Sequence, residues 1–415
     1  MRTYKFRIYP SDAQITILNN TLELCRELYN STLQQRIYAY RWEKKVNYNS
    51  PQNEIPEIKR MFPEYRNVYS QVLQDVARRL DRAFHNFFIR IKEKRNGKNI
   101  RARFPRFKSK GRYNSITYTQ SGFRLLDNGH VWLSKLGEVR MFMHRSVTGE
   151  IRTLSVKRDF VGDWFITLTV ETHSKPDKSE EDKTMKYPYF QPVKPVGTDM
   201  GLKSIITASD GSQIEPPQFL RKSEGRLSRA QRQLSRKKNG SGKRTKAKKR
   251  VQKVHRKIQK QRDDYAHKLS RNIVENHDII VFEDLDIAGM VKNNHHAKSI
   301  ADASWYSIIQ YTTYKAESAG KTVVMVNPMQ TSQECSGCGN IKHDLKLSDR
   351  IYHCNVCGLS IDRDVNAAIN IERKGMEKMR KLMNVGRSTP EVTPVEIGAL
   401  PAMVTPVVEA GSPLR

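Results

Sequence analysis

The chain has no run of about 18 apolar residues, the length a helix needs to cross a bilayer, so no membrane-spanning helix is expected. Its start, MRTYKFRIYP, lacks an apolar signal core and a small-residue cleavage site. The expected location is therefore the cytoplasm. Cysteine is scarce, with five in 415 residues and four of those inside a 23-residue stretch. Such clustering does not suit a secreted disulfide framework. Acidic residues are also few: Asp+Glu number 43 against Lys+Arg 74, a net charge of +31. A surplus of that size points to a polyanionic partner, most often nucleic acid, over a merely soluble basic surface. Hydrophobic residues make up 37 % of the chain, somewhat below the usual globular share. The length predicts two or three domains.

What is present divides by pattern. Residues 1–10 alternate apolar and polar, as one strand would. Residues 11–98 read as helical, with Ser11 and Asp12 as N-cap candidates. Pro51, Pro56 and Pro63 separate a first helix from a second running from about Val68 to Arg95. Period two then takes over, with strands expected at Ser115–Gln120, Val131–Leu133, Val139–Met143, Ile151–Lys157 and Trp164–Val170. These suggest a small barrel or sandwich that the first strand could join. A polar stretch rich in Pro and Lys follows. Beyond it, strands and helices alternate as in a mixed α/β sheet: Val196–Ser209, long helices within 221–276, a buried strand Ile279–Glu283, a helix Asp302–Ala319 and a strand Thr322–Val326. Trp42, Trp132, Trp164 and Trp305 read as core anchors.

Cys335-Ser-Gly-Cys338 and Cys354-Asn-Val-Cys357 are two knuckles with 15 residues between them. Two such knuckles supply the four soft ligands of a tetrahedral Zn²⁺. Gly339 and Gly358 follow them directly, where the chain must turn tightly. A filled four-sulfur site is structural, because it leaves no open position for a substrate. Cys25 lies on an apolar helical face and reads as an inert core residue.

Three acids sit where a solvated surface does not explain them. Asp199 interrupts the strand pattern of VGTDMGLKSIITAS. Glu283 ends the apolar run DIIVFEDL. Asp364 opens a helix in DRDVNAAINI. A carboxylate at the edge of a buried sheet is costly unless it is paired or holds a cation. Three acids from two strands and a helix can meet at one sheet edge, as RNase H-like nucleases use to hold two Mg²⁺ ions. Asp362 is a rival for Asp364 or the cap of its helix. Asp284 should point to the opposite face from Glu283. Asn366 orients a ligand or makes a plain helix–sheet hydrogen bond.

The segment Arg221–Arg262 carries 19 Lys or Arg and one acid, Glu224. Phosphates or a groove must neutralise it. Its nucleic-acid candidates are Arg236, Lys237, Lys238, Arg244, Lys249 and Arg250. A second basic patch, Lys92–Arg112, interleaves Phe104 and Phe107 with Arg103, Arg106 and Lys108. That mix suits backbone contact with base stacking, or a hydrophobic hinge. Gln71 and Gln74 share a helix face and could read an adenine edge, with Tyr48 and Gln52 beside them.

The segments GTDMGL, VFEDLDIAGM, TSQECSGCGNIK, YHCNVCGLSIDRDVNAAINI and FPRFK together resemble the TnpB family, nucleases encoded by insertion sequences and similar to ancestors of the type V CRISPR effectors. The resemblance implies a multidomain α/β and α+β chain. A wedge-type β-barrel would span 1–10 and 111–180, with a helical recognition insertion at 11–110 and a linker at 181–195. A RuvC-like, RNase H-like nuclease domain would span 196–330 and 362–383, interrupted by a zinc ribbon at 331–361. The tail 384–415 is expected to be disordered. It further implies that Asp199, Glu283 and Asp364 are the catalytic triple. An RNA from the element end would guide cleavage of double-stranded DNA beside a short flanking motif. A guide-free nuclease or transposase using the same carboxylates, and a non-catalytic zinc-ribbon regulator of transposition, are the alternatives.

Overall fold

The computed structural model describes residues 1–42, 52–171, 193–291, 297–346 and 348–385. Tyr48 and most of the expected linker and tail lie outside these residues. The chain divides into two compact units, with the boundary between residues 184 and 185. No described helix is long and apolar enough to cross a membrane.

The first unit is built on β1 (Arg2–Tyr9), β2 (Ser115–Tyr118), β3 (Phe123–Leu126), β4 (His130–Leu133), β5 (Gly137–Phe142), β6 (Glu150–Arg158) and β7 (Trp164–Glu171). They form one seven-stranded sheet in the order β2-β6-β7-β1-β5-β4-β3. Every pairing is antiparallel. Alternation decides the inner face. Tyr4, Phe6 and Ile8 of β1 are buried, as are Trp164, Ile166, Leu168 and Val170 of β7. Each such side chain contributes about 1.5–3 kcal/mol of apolar burial.

Between β1 and β2 in the chain come α1 (Asp12–Arg41), α2 (Ile55–Met61) and α3 (Ser70–Arg95). Helix α1 starts on a capping box: Ser11 Oγ accepts from the Gln14 N–H, and Gln14 Oε1 accepts from the Ser11 N–H. Leu18, Leu22 and Leu33 of α1 and Leu73, Val76 and Leu80 of α3 join the sheet side chains in one core. Cys25 belongs to it, and burial pushes its thiol up to about 12, which makes it inert. Trp164 and Trp305 are buried and Trp132 is partly buried, but Trp42 is 76 % exposed and anchors no core among the described residues. It follows the last residue of α1, beyond the helix's packed face.

The second unit is a three-layer α/β/α arrangement. Strands β8 (Pro195–Asp199), β9 (Ile206–Ala208), β10 (Gln213–Ile214), β11 (Ile279–Glu283) and β12 (Thr322–Val326) form a sheet in the order β10-β9-β8-β11-β12. The first three strands meander antiparallel, whereas β8, β11 and β12 run parallel. The helices are α4 (Phe219–Ser235), α5 (Gly242–Asn276), α6 (Ile287–Met290), α7 (Ala297–Ala303), α8 (Trp305–Ser318) and α9 (Arg363–Val385). A short hairpin, β13 (Ile351–His353) with β14 (Ser360–Asp362), precedes α9.

Strand parity assigns each face. Ile280 and Phe282 of β11 pack with Ile273 of α5 and Ile308 of α8. Ile279 and Val281 pack with Ile371 and Met376 of α9. Two glycines let α9 approach the sheet closely. A Cβ on Gly197 would stand 2.1 Å from the Ala368 carbonyl and 2.5 Å from the Glu372 nitrogen, and one on Gly375 would stand 2.4 Å from Val281 Cγ2. Around Gly197 the obstruction is backbone, which cannot step aside without moving the helix. Gly197→Ala is therefore expected to cost about 1–3 kcal/mol in urea unfolding. Gly225→Ala, in α4 with nothing within 4 Å of its Cβ, should instead be neutral or gain up to about 1 kcal/mol.

Candidate active site

Asp199 ends β8 and Glu283 ends β11. The parallel register pairs Thr198 with Phe282, so one step further the two acids stand on neighbouring strands. Asp199 shares the parity of Gly197, and Glu283 that of Ile279 and Val281. Both therefore face α9. This is the carboxyl end of the parallel strands, where open α/β sheets place their sites. Asp284, one residue on, is exposed and its N–H pairs with the Val326 carbonyl.

Asp364 lies in the first turn of α9. Asp362 accepts from the N–H groups of Asp364 (2.9 Å) and Val365 (3.3 Å), so Asp362 caps the helix and Asp364 is released from that role. Asp199 senses both other acids. Burial first, then the charges of Glu283 and Asp364, push its carboxyl up to about 7, against a smaller downward pull from Arg363. Glu283 is 7 % exposed. Burial raises it as well, opposed by a hydrogen bond from the Thr331 hydroxyl and by the charge of Lys374. Arg363 also pairs with Asp364 at 3.5 Å. It places a cation among the acids, and nothing in its sequence surroundings distinguishes it from any basic residue at a helix start.

Hard oxygen donors with mutual repulsion suit a divalent cation with retained waters. Among the described residues, only the four cysteines have ligand atoms all within 4.8 Å of one another.

Those cysteines form the second centre. Cys335 Sγ and Cys357 Sγ lie 3.6 Å apart, as do Cys338 Sγ and Cys354 Sγ. That is too long for a disulfide. It is close to the edge of about 3.8 Å in a tetrahedron with metal–sulfur bonds of about 2.3 Å. The two knuckles repeat one backbone pattern. The Gly339 N–H bonds to the Cys335 carbonyl and the Gly358 N–H to the Cys354 carbonyl. Both glycines have left-handed φ, +77° and +75°, where a side chain would be strained. The N–H groups of Cys357 and Val356 lower the Cys354 thiol, favouring the thiolate.

The Thr331–Ser336 loop runs from the carboxylates to the first knuckle. Asn366 and Asn370, one turn apart on α9 and fully buried, hold it. Asn370 Nδ2 donates to the carbonyls of Thr331 (3.0 Å) and Glu334 (2.7 Å). Asn366 Nδ2 donates to the Glu334 carbonyl (2.8 Å), and its Oδ1 accepts from the Ser336 N–H (2.9 Å). These amides are therefore spent on a helix–loop seam. Arg373 and Lys374 pair with the Glu334 carboxylate.

The remaining candidates are dispersed. Arg236, Lys237, Lys238, Lys249 and Arg250 are exposed, while Ala247, Val251, Val254 and Ile258 of α5 are buried. Arg244 instead donates to the carbonyls of Leu234 (3.1 Å) and Lys237 (2.9 Å), closing the end of α4. In the N-terminal unit, Arg103 and Arg106 are exposed. Arg103 lines a cleft of about 740 Å³ with Tyr40, Phe87, Lys94 and Phe104, and none of the three carboxylates belongs to it. Phe104 packs on Phe87 at 4.6 Å, whereas Phe107 is exposed. The Lys108 backbone is held by Asn30 on both its N–H and its carbonyl. Gln52 is half-buried, as is Gln74. Gln71 is engaged: its Nε2 donates to Ser121 Oγ, and its Oε1 accepts from the N–H groups of Gln120 and Ser121.

The raised Asp199 carboxyl sets a pH dependence. The folded chain keeps a proton there that the unfolded chain has already released. Stability contributed by this group thus falls as pH rises from about 4 to about 7 and is lowest above that. In metal-free protein, Asp199→Asn should melt higher than the parent at about pH 8. The expected gain is about 2 kcal/mol after allowing for the partial exposure of Asp199, fading towards pH 4. A difference that does not vary with pH would show that Arg363 neutralises Asp199 in the folded chain.

Comparison with known proteins adds a lineage to this geometry. Residues 174–294 match a family model (OrfB_IS605) described as "Probable transposase". Residues 305–371 match the Cas12f1-like TNB domain, and residues 1–45 a helix-turn-helix domain. The last description does not fit this fold, in which Arg2–Tyr9 is a strand and Asp12–Arg41 one uninterrupted helix. The chain is 33 % identical over 383 residues to a Streptomyces pristinaespiralis protein named "Putative RNA-guided DNA endonuclease", covering 90 % of this chain and 89 % of that one. It is 31 % identical over 393 residues to "Putative RNA-guided DNA endonuclease InsQ" of Escherichia coli (strain K12), covering 90 % and 92 %. Among solved structures it is similar to a Cas12f1-sgRNA-target DNA complex, at 14 % identity and a TM-score of 0.34, covering 89 % and 98 %.

Proposed function

Because the chain belongs to the TnpB (IS605 OrfB) family, we propose that it is an RNA-guided, Mg²⁺-dependent endonuclease that cleaves double-stranded DNA beside a short flanking motif. The observation that carries the chemistry is the placement of Asp199 and Glu283 at neighbouring carboxyl ends of parallel strands, with Asp364 brought against them by α9. A β10-β9-β8-β11-β12 sheet with an antiparallel meander and three parallel strands supports a RuvC-type, RNase H-like nuclease domain over 196–330 and 362–383. The seven-stranded sheet, with α1–α3 between its first two strands in the chain, supports a wedge-type barrel with a helical recognition insertion. The four cysteines would hold one structural Zn²⁺ in a ribbon over 331–361.

Asp199, Glu283 and Asp364 would hold the catalytic ions. Bound Mg²⁺ supplies an activated water and stabilises the leaving oxygen of the phosphodiester. The chain's own part is to hold three acids on a rigid sheet edge and helix, with Arg363 offsetting part of the rise of the Asp199 carboxyl. The exposed cations of α4 and α5 would neutralise guide or target phosphates.

Two measurements check this reading. Asp199→Ala, Glu283→Ala or Asp364→Ala should each reduce cleavage of both DNA strands together by about 10³-fold or more. RNA-dependent target binding should survive. Persistent cutting of one strand would require a second active site, and site-specific cutting by RNA-stripped protein would remove the guide. Separately, Lys249→Ala with Arg250→Ala should weaken binding to all target sequences alike and lower the slope of log affinity against log salt by about 2. An unchanged slope would take those two residues off the phosphate path.

A further inference from the structure

The seam between α9 and the Thr331–Ser336 loop does more than join two parts of the second unit. Thr331 is 2 % exposed. Its hydroxyl lies 2.5 Å from Glu283 Oε1 and 3.1 Å from the Pro328 carbonyl. The hydroxyl has one proton, and an ionised carboxylate at the shorter distance takes it. Glu283 is left with one oxygen fixed by Thr331 and the other to serve a cation. Thr331 itself cannot drift, because Asn370 grips its carbonyl from α9. Four residues on, Cys335 enters the four-sulfur cluster, and Ser336 is held by Asn366 on the same helix.

We propose that Thr331 is a positioning residue for Glu283, setting the rotamer in which that carboxylate meets a divalent cation. The inference rests on the carboxylate reading above and adds a group that touches neither substrate nor metal. Partners of this kind fix the direction of a ligand's lone pair, and their loss commonly weakens metal binding about 10–100-fold. Valine and serine separate the hydroxyl from the shape. Thr331→Val keeps the volume of the buried side chain and loses the donor. Thr331→Ser keeps the donor and loses a methyl group.

The test is Mg²⁺ titration by calorimetry on the full chain with its zinc retained, alongside cleavage rate against Mg²⁺ concentration. Thr331→Val is expected to bind Mg²⁺ about tenfold more weakly and to need correspondingly more of it for half-maximal cleavage. Its zinc content and RNA-dependent DNA binding should match the parent. Thr331→Ser should restore both Mg²⁺ readouts. The proposal is overturned if Thr331→Val titrates like the parent, if Thr331→Ser is as weak as Thr331→Val or weaker, or if Thr331→Val loses its zinc. A parent whose Mg²⁺ titration is unaltered by Asp199→Ala would overturn the carboxylate site itself, and that result is read independently of any Thr331 variant.

Discussion

Helix α9 rests on the sheet at backbone distance, and that single contact organises the second unit. The two glycines beneath it lie on β8 and on α9 itself, so neither layer supplies a side chain to hold them apart. With the gap closed, the first turn of α9 comes level with the ends of β8 and β11. The buried asparagines then meet the loop that leads to the first knuckle. Charge follows from the same contact. Burial first, and then repulsion from the other two acids, holds the Asp199 carboxyl up to about 7. Arg363 offsets part of that rise, as Lys374, also on α9, does for Glu283.

The two centres are chemically opposite and are not interchangeable. The sulfur cluster is soft and compact, a donor set that suits one ion using all four ligands. The carboxylates are hard donors, of the kind that leave room for water or phosphate on a bound cation. Only a short loop separates the two sets, so an ion held by the sulfurs would stiffen the scaffold beside the acids.

Much of this was legible in the sequence where a local rule decided the outcome. The apolar run Ile279–Glu283 is a strand with those ends, and Ser11 caps its helix with Gln14. Strand β3 was missed because Phe-Arg-Leu-Leu shows no alternation, and β10 because two residues carry no period. Asp199, Glu283 and Asp364 stood out because acids interrupting apolar patterns are rare. Thr331 and Arg363 did not: Glu283 lies 48 residues from Thr331, and only the packed fold brings Asp199 under the charge of Arg363. Asn366 was named as a hydrogen-bonding residue, but its loop partners, 30 and 32 residues away, were not legible. The sequence contexts of Gln71 and Arg244 suggested surface contacts with nucleic acid, whereas a loop 49 and 50 residues away engages Gln71 and Arg244 turns back on carbonyls 7 and 10 residues away.

The three acids stand at positions 199, 283 and 364, each on a different pass of the chain. During synthesis the strands bearing the first two emerge well before α9 exists. A nascent or truncated chain ending before that helix holds two acids and a half-covered sheet. The carboxylate set is thus completed only by the last described helix, and the chain passes through most of its own translation without it.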